Sequence, residues 1–506
     1  MKRQRGASLL VGVFVVGNLA TAADDPASVL MRRTLGPTPI LEDLRQLTDT
    51  IGGRPTGSAA VDRAVDWGIA RFREAGLENV HAEPYAAPRT WLAGAESAEV
   101  VAPRAAWATP GSERLRIAAM PFSVPTPATG LEAEVLDVGE GDAQAFAAAG
   151  PRIAGRLLLF HTAPMRGLED LFKEYMETPG RLARAREAGA AGVLWMSTHP
   201  GRLLYRHNTT LIGALYPLPA AVVEREGALR LARLAAAGET VRVRLLAGSR
   251  SDAGTPARNV VAEVKGREKP EEVVILGAHL DSWDLGRGAL DNGCNAALVI
   301  DVARQAAALA HEGMRPRRTL RFVLYTGEEA GLWGSFAEVR QHRGELDRVK
   351  AQVIFDIGSG KTTGFSLGGR ADLQPAVDAA LAPASGRGPF TQTTDAFIGT
   401  DNYDYLVEGV PTLVANQDGR PYLPDYHAES DTFDKVDQEQ LKANTAVAAV
   451  VTWGLADLVA APAPRQSRAE VEALVQAWSS RCGCSACGSL SCAASGAARP
   501  SLPRFG

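Results

Sequence analysis

No basic block lies anywhere in this 506-residue chain, whose formal net charge is −4. The sequence therefore offers nucleic acid no electrostatic footprint. Membrane-length hydrophobicity is missing too: past the N-terminus no apolar stretch approaches the roughly 20 residues that a spanning helix requires. A stable membrane span is not expected. Cysteine is scarce. Of five, Cys482, Cys484, Cys487 and Cys492 crowd the tail, and only Cys294 lies in the body. Four cysteines in the tail of a secreted chain read as two disulfides, with three pairings open. A small metal site there is the lesser reading, because no histidine accompanies them.

What remains is the composition of a folded soluble protein, 46% hydrophobic and 22% charged, long enough for two or three domains with separate cores. Lys2, Arg3 and Arg5 precede an apolar run over 7–16 and then Ala20-Thr21-Ala22. That order of charged, apolar and small residues is a cleavable secretory signal over 1–22, and it predicts a secreted or periplasmic protein.

After the signal, Ile40, Leu41, Leu44, Leu47 and Ile51 recur at a helical period that Gly52-Gly53-Arg54-Pro55 breaks. Ser58 caps a second helix with Val61, Val65, Ile69 and Phe72 on one face. Between about 121 and 250, short strands at 134–138, 156–160 and 191–196 alternate with Ala/Arg helices, forming a module large enough for its own core. Its histidines (His161, His199, His207) lie in no HxD or EE grouping and read as structural. From Asn259 the text becomes regular, with strands at 260–264, 273–277, 320–325, 352–355 and 412–415 and helices at 295–310, 330–342, 373–382 and 438–459. Apolar strands alternating with helices predict an α/β fold, a mostly parallel central sheet with helices on both faces. Ligands in such sheets gather at the carboxyl ends of the strands.

Five places in this region hold suitable ligands, and three of them follow a strand. His279 and Asp281 close the first; Asp291 heads a helix; Glu328 and Glu329 follow the strand ending at Tyr325; Asp356 closes QVIFD; His427 sits in a loop before the last long helix. Neutral imidazole and carboxylate are the ligands of hydrolytic zinc. A bridging carboxylate holds two ions roughly 3.5–4 Å apart. Asp291 is read as that bridge, with His279 and Asp356 completing one zinc and Glu329 and His427 the other. Asp281 is placed to accept the free ring N–H of His279 and fix its tautomer. Glu328 is placed to take a proton from the attacking water and pass it to the leaving amine.

The strings GAHLDSWDLGRGALDNG, YTGEEAGLWGS, VIFDIGSG, GTDNYDYLVEGVPTL and YHAESDTFDKVD closely resemble the carboxypeptidase Q (plasma glutamate carboxypeptidase) branch of the di-zinc exopeptidases, and LTDTIGGRPTGS looks like the same branch. The likeness runs from about residue 38 to 460. It implies a zinc-exopeptidase fold in which a protease-associated domain (121–250) is inserted between an N-terminal part (25–120) and the catalytic domain (257–461). It also implies two zinc ions per chain and hydrolysis of dipeptides or short peptides with a free amino terminus. The implied roles fall on the same residues: His279, Asp291, Glu329, Asp356 and His427 as ligands, Glu328 as base, Asp281 as orienter. One departure is Asn292, where many relatives carry a second acidic residue; little effect on metal count is expected. Cys294, three residues past Asp291, falls inside a helix start and reads as a small buried apolar side chain.

A related metallopeptidase class inserts a dimerisation domain between its fourth and fifth ligands. Here only 71 residues (427 − 356) separate Asp356 from His427, too few for that. A homodimer stays open as the protein partner, beside the peptide substrate. The other activities weighed are aminopeptidase action on longer peptides, acyl transfer of the glutaminyl-cyclase kind, and an inactive binding protein. The last is opposed by retention of every ligand and of Glu328. For the substrate side, the polar, aromatic segment 400–405 either lines the pocket or is a capped helix beneath it, and Trp283 and Arg287 are further candidates. The extension over 462–506 lies outside the likeness. It begins with an amphipathic helix at 468–478 and is expected to be flexible.

Overall fold

The computed structural model describes residues 25–103 and 113–481. The expected signal and the four tail cysteines lie outside the described residues. The strand Lys269–His279 is the centre of the molecule, and its side chains alternate between two cores, as a strand's period of two requires. Val274, Leu276 and Ala278 join one core with the helix Cys294–His311 and the helix Gln438–Asp457. Val273 and Ile275 join another with Val339 of the helix Trp333–Gln341 and Tyr405 of the short helix Tyr403–Val407. Both faces are therefore covered.

The sheet has seven strands in the order Glu78–Arg89, Ala253–Val264, Arg318–Tyr325, Lys269–His279, Val349–Ile354, Thr412–Gln417, Thr362–Ser366. The pairings from Arg318–Tyr325 to Thr412–Gln417 are parallel, and those on both flanks are antiparallel. The flanking strands Glu78–Arg89 and Thr362–Ser366 differ from the expected pattern. The first lies far upstream of the regular text that begins at Asn259, and the second is too short and Thr/Gly-rich to show. After Lys269–His279 the chain crosses one face through Cys294–His311 to reach Arg318–Tyr325. It returns over the other face, through Trp333–Gln341, to Val349–Ile354. Connections leaving to opposite sides open a crevice at the carboxyl ends, the usual ligand position in such sheets.

A second, eight-stranded sheet runs Arg114–Leu115, Leu92–Ala102, Arg242–Arg250, Leu131–Asp137, Leu157–Phe160, Gly192–Met196, Ala220–Val223, Ile117–Ala119. It too buries both faces, Leu157 and Leu159 on one side and Leu158 and Phe160 on the other. The earliest of these strands in the chain begins at Leu92, upstream of the 121 expected for the module. The Pro-rich text after 103 hid the continuity, because Leu92–Ala102 pairs with Arg242–Arg250, far away in sequence.

The extension is not loose at its start. Arg465 donates to the carbonyl of Glu408, Arg370 to that of Pro464, and Val471 is buried in the helix Arg468–Arg481. Polar side chains reaching main-chain carbonyls carry no periodic signal, which is why the docking was not expected. Among the described residues no helix is long and apolar enough to cross a membrane.

Candidate metal centre

Strand register brings the candidate ligands level. His279 lies opposite Tyr325, and Gly277 opposite Ile354. Two residues further on, Asp356 therefore falls beside His279, and Glu328 and Glu329 follow just past Tyr325. The helix expected from 330 begins only at Trp333. Gly327, Gly331 and Leu332 all have positive φ, so the two glutamates stand on a tight turn rather than in a first helical turn. Asp291 is held in the turn Ala289–Gly293, and the peptide between Asp291 and Asn292 is cis. His427 has φ +54°.

Two buried groups result, His279 with Asp291 and Asp356, and Asp291 with Glu329 and His427; the ligand atoms of each lie within 4.8 Å of one another. His279 Nε2 is 3.2 Å from Asp291 Oδ1 and 2.9 Å from Asp356 Oδ1. His427 Nε2 is 3.2 Å from Asp291 Oδ2 and 2.8 Å from Glu329 Oε2. Each ring's Nδ1 faces a main-chain carbonyl, Asp281 O at 3.0 Å and Arg206 O at 3.1 Å. A carbonyl only accepts, so Nδ1 carries the hydrogen and a neutral ring turns its Nε2 lone pair onto carboxylate oxygens. That contact is favourable only with a cation between the partners, a proton or a metal ion.

The electrostatics agree. Burial opposes charging His427, but Glu329 and Asp291 outweigh it and raise the imidazole to about 10. Burial raises Glu329 to about 7, with His427 opposing. Asp291 is held well below the usual carboxylate range because its bonds with both imidazoles outweigh burial. With neutral rings the five side chains bring three negative charges into a buried space. Asp291 Oδ2, Glu329 Oε1 and Asp356 Oδ1 find no hydrogen-bond donor. Acceptor-only oxygens and imidazole lone pairs converging twice on one shared carboxylate fit a pair of divalent cations.

Asp281 departs in detail from its expected part. Its carboxylate is 3.7 Å from His279 Nδ1, farther than its own carbonyl. The carboxylate instead accepts from Thr56 Oγ1 at 2.7 Å and from the backbone N–H of Glu328 at 3.3 Å, tying the strand end to the glutamate turn. Withdrawal from water raises Glu328 well above the usual carboxylate range; His279 opposes this, while Asp356, Glu329 and Asp401 add to it. Trp283 lines the cavity with Asp291, Glu329 and His427, whereas Arg287 is exposed. Segment 400–405 is buried and runs into the short helix Tyr403–Val407. His199 and His207 are buried among aromatic rings, and Cys294 is buried with Sγ near the carbonyl of Leu290.

Several supports escaped sequence reasoning. Asp431 accepts three backbone N–H groups, from Ala289, Leu290 and Asp291 at 2.7–3.1 Å. Arg54, fully buried, donates to the carbonyls of Gly52, Leu280, Arg287 and Gly288. Both lie in strings that stood out, SDTFDKVD and IGGRPTGS, so a signal existed. Arg206 and Asn208, from the second sheet's part of the chain, had none: Arg206 reaches the centre through its carbonyl, and Asn208 through its side-chain amide on the carbonyl of Glu329.

The model of peptidase family M28 matches residues 259–452. Carboxypeptidase Q from Bos taurus is 31% identical over 428 residues, 82% of this chain and 85% of that protein. Carboxypeptidase Q from Homo sapiens is 30% identical over 428 residues, with the same shares. A peptidase M28 precursor from Shewanella amazonensis superposes with TM-score 0.77 at 27% identity, covering 87% of this chain and 98% of that one. A zinc aminopeptidase from Bacillus subtilis, 18% identical, shares the fold with TM-score 0.63 over 81% of this chain and 93% of its own.

Proposed function

The chain is a metallo-exopeptidase that belongs to peptidase family M28, and on that premise we propose that it hydrolyses dipeptides or short peptides with a free amino terminus at a two-zinc centre. One observation supports this most: two buried ligand groups share Asp291, and each turns an imidazole lone pair onto carboxylates. His279 and Asp356 would hold one zinc, Glu329 and His427 the other, and Asp291 would be shared between them. When bound, the ions supply Lewis acidity, lowering the pKa of a water and polarising the scissile carbonyl.

The chain's own residues do the rest. Glu328 accepts a proton from the attacking water and returns it to the departing amine, a task suited to a carboxylate whose pKa lies above its usual range. Asp281 holds the Glu328 turn against the strand that presents His279. The second sheet, which we read as an inserted protease-associated domain over about 92–250, contributes the segment that lies against His427.

Stripping the protein with a chelator should abolish dipeptide hydrolysis, and zinc should restore it as two equivalents are taken up. Activity indifferent to chelation would sink the proposal. Product analysis on a tripeptide separates dipeptidase or carboxypeptidase action from removal of the amino-terminal residue of longer peptides.

A further inference from the structure

Beside the second ligand group lies a short piece of chain that no ligand assignment uses. Residues 205–208 leave the second sheet's part of the chain and run antiparallel to the loop carrying His427, with Tyr205 opposite Ala428. Arg206 N donates to His427 O at 3.1 Å, and Arg206 O accepts from His427 Nδ1 at 3.1 Å. Asn208 Nδ2 donates to the carbonyl of Glu329 at 2.8 Å. One segment of four residues thus grips both ligands that belong to the second group alone. His427 needs that grip, because φ +54° is a conformation a non-glycine residue keeps only where its surroundings over-determine it.

The Arg206 side chain explains how the segment is fixed. It is buried, and Nη1 donates to Glu96 Oε1 at 2.7 Å and to the carbonyl of Ala119 at 2.8 Å, both in the second sheet. Nε and Nη2 donate as a fork to the two oxygens of Asp284, each at 2.9 Å. Asp284 belongs to the loop between His279 and Asp291. The guanidinium also lies 5.2 Å from the Trp91 ring centroid. A planar fork bonded on three sides allows one placement of its own backbone, and that backbone sets the tautomer and aim of His427.

We propose that Arg206 is a positioning residue for the second metal site: its locked side chain presents its carbonyl to His427 Nδ1 and so directs Nε2 at the ion beside Asp291 and Glu329. The inserted sheet is on this view part of the metal centre. The inference rests on the two-zinc reading above.

Stepwise zinc titration of the full-length, metal-free protein against a chromophoric chelator tests it. Wild type should take up two ions; uptake of fewer removes the two-zinc reading, and the inference with it. Arg206→Met should weaken one ion by about 10- to 100-fold, the usual effect of losing a group that orients a ligand, and leave the other unchanged. The surviving site should match the one kept by His427→Ala. Arg206→Lys, which retains charge but not the fork, should fall between. Equal weakening of both ions, or of neither, while wild type binds two, overturns the proposal and leaves the two-zinc reading intact. If Arg206→Met does not fold, Asp284→Asn and Asn208→Ala decide: selective loss of the same ion supports the role, and two unchanged sites overturn it.

Discussion

Glu328 and Glu329 are neighbours in sequence with different surroundings. Glu329 faces His427 and is shut from solvent; Glu328 is partly exposed, with its backbone N–H on Asp281. Replacing Glu328 by Gln preserves shape and removes the base. Zinc content should stay at two ions, while kcat should fall by about 10²–10⁴-fold; a rate near that of wild type excludes Glu328 as base. The imidazoles make a pH prediction. Without metal, His427 titrates at about 10, and His279 is raised well above its ordinary range as Asp356 and its neighbours outweigh burial. His427 therefore carries a second proton at pH 7.5, and His279 is shifted in the same direction. Zinc takes the unprotonated ring, so binding must release protons and tighten as pH rises towards 10. Calorimetry in buffers of different ionisation enthalpy should show net release; proton uptake would contradict this state of the imidazoles.

Among the elements, the turn Ala289–Gly293 is the most dependent on help. It departs from helical geometry at Asp291 and Asn292, and its three leading N–H groups point at Asp431. Burial raises that carboxyl to about 7, against the pull of the backbone N–H groups. In Asp431→Ala three buried donors lose their acceptor, each at a cost of about 1–3 kcal/mol, and the bridge at Asp291 loses its support. Zinc affinity should drop at both ions by about 10- to 100-fold, unlike the selective loss expected of Arg206→Met. Unchanged affinity in a chelator competition would show that the turn holds itself.

Across the whole molecule, what sequence made legible followed from local chemistry. Continuous apolar strands announced the sheet, and polar residues placed at their ends announced the ligands, because nothing else explains His279 or Asp356 closing a buried strand. Long-range pairing was illegible. Leu92–Ala102 joins a strand some 150 residues away, which displaced the expected boundary of the second sheet. Main-chain contacts were illegible as well, since the carbonyl of Arg206 has no residue type to betray it. Asp281 shows the same limit from another side: its position was read from spacing, but its carbonyl rather than its carboxylate lies nearest His279.

Hydrolysis of a dipeptide panel, free or blocked at either end, by protein carrying two zinc ions is the most direct measurement. Peptides with a free amino terminus should be cleaved and their N-acetylated counterparts spared. Equal cleavage of blocked and unblocked peptides, or none of either by the fully loaded protein, would contradict the proposed activity.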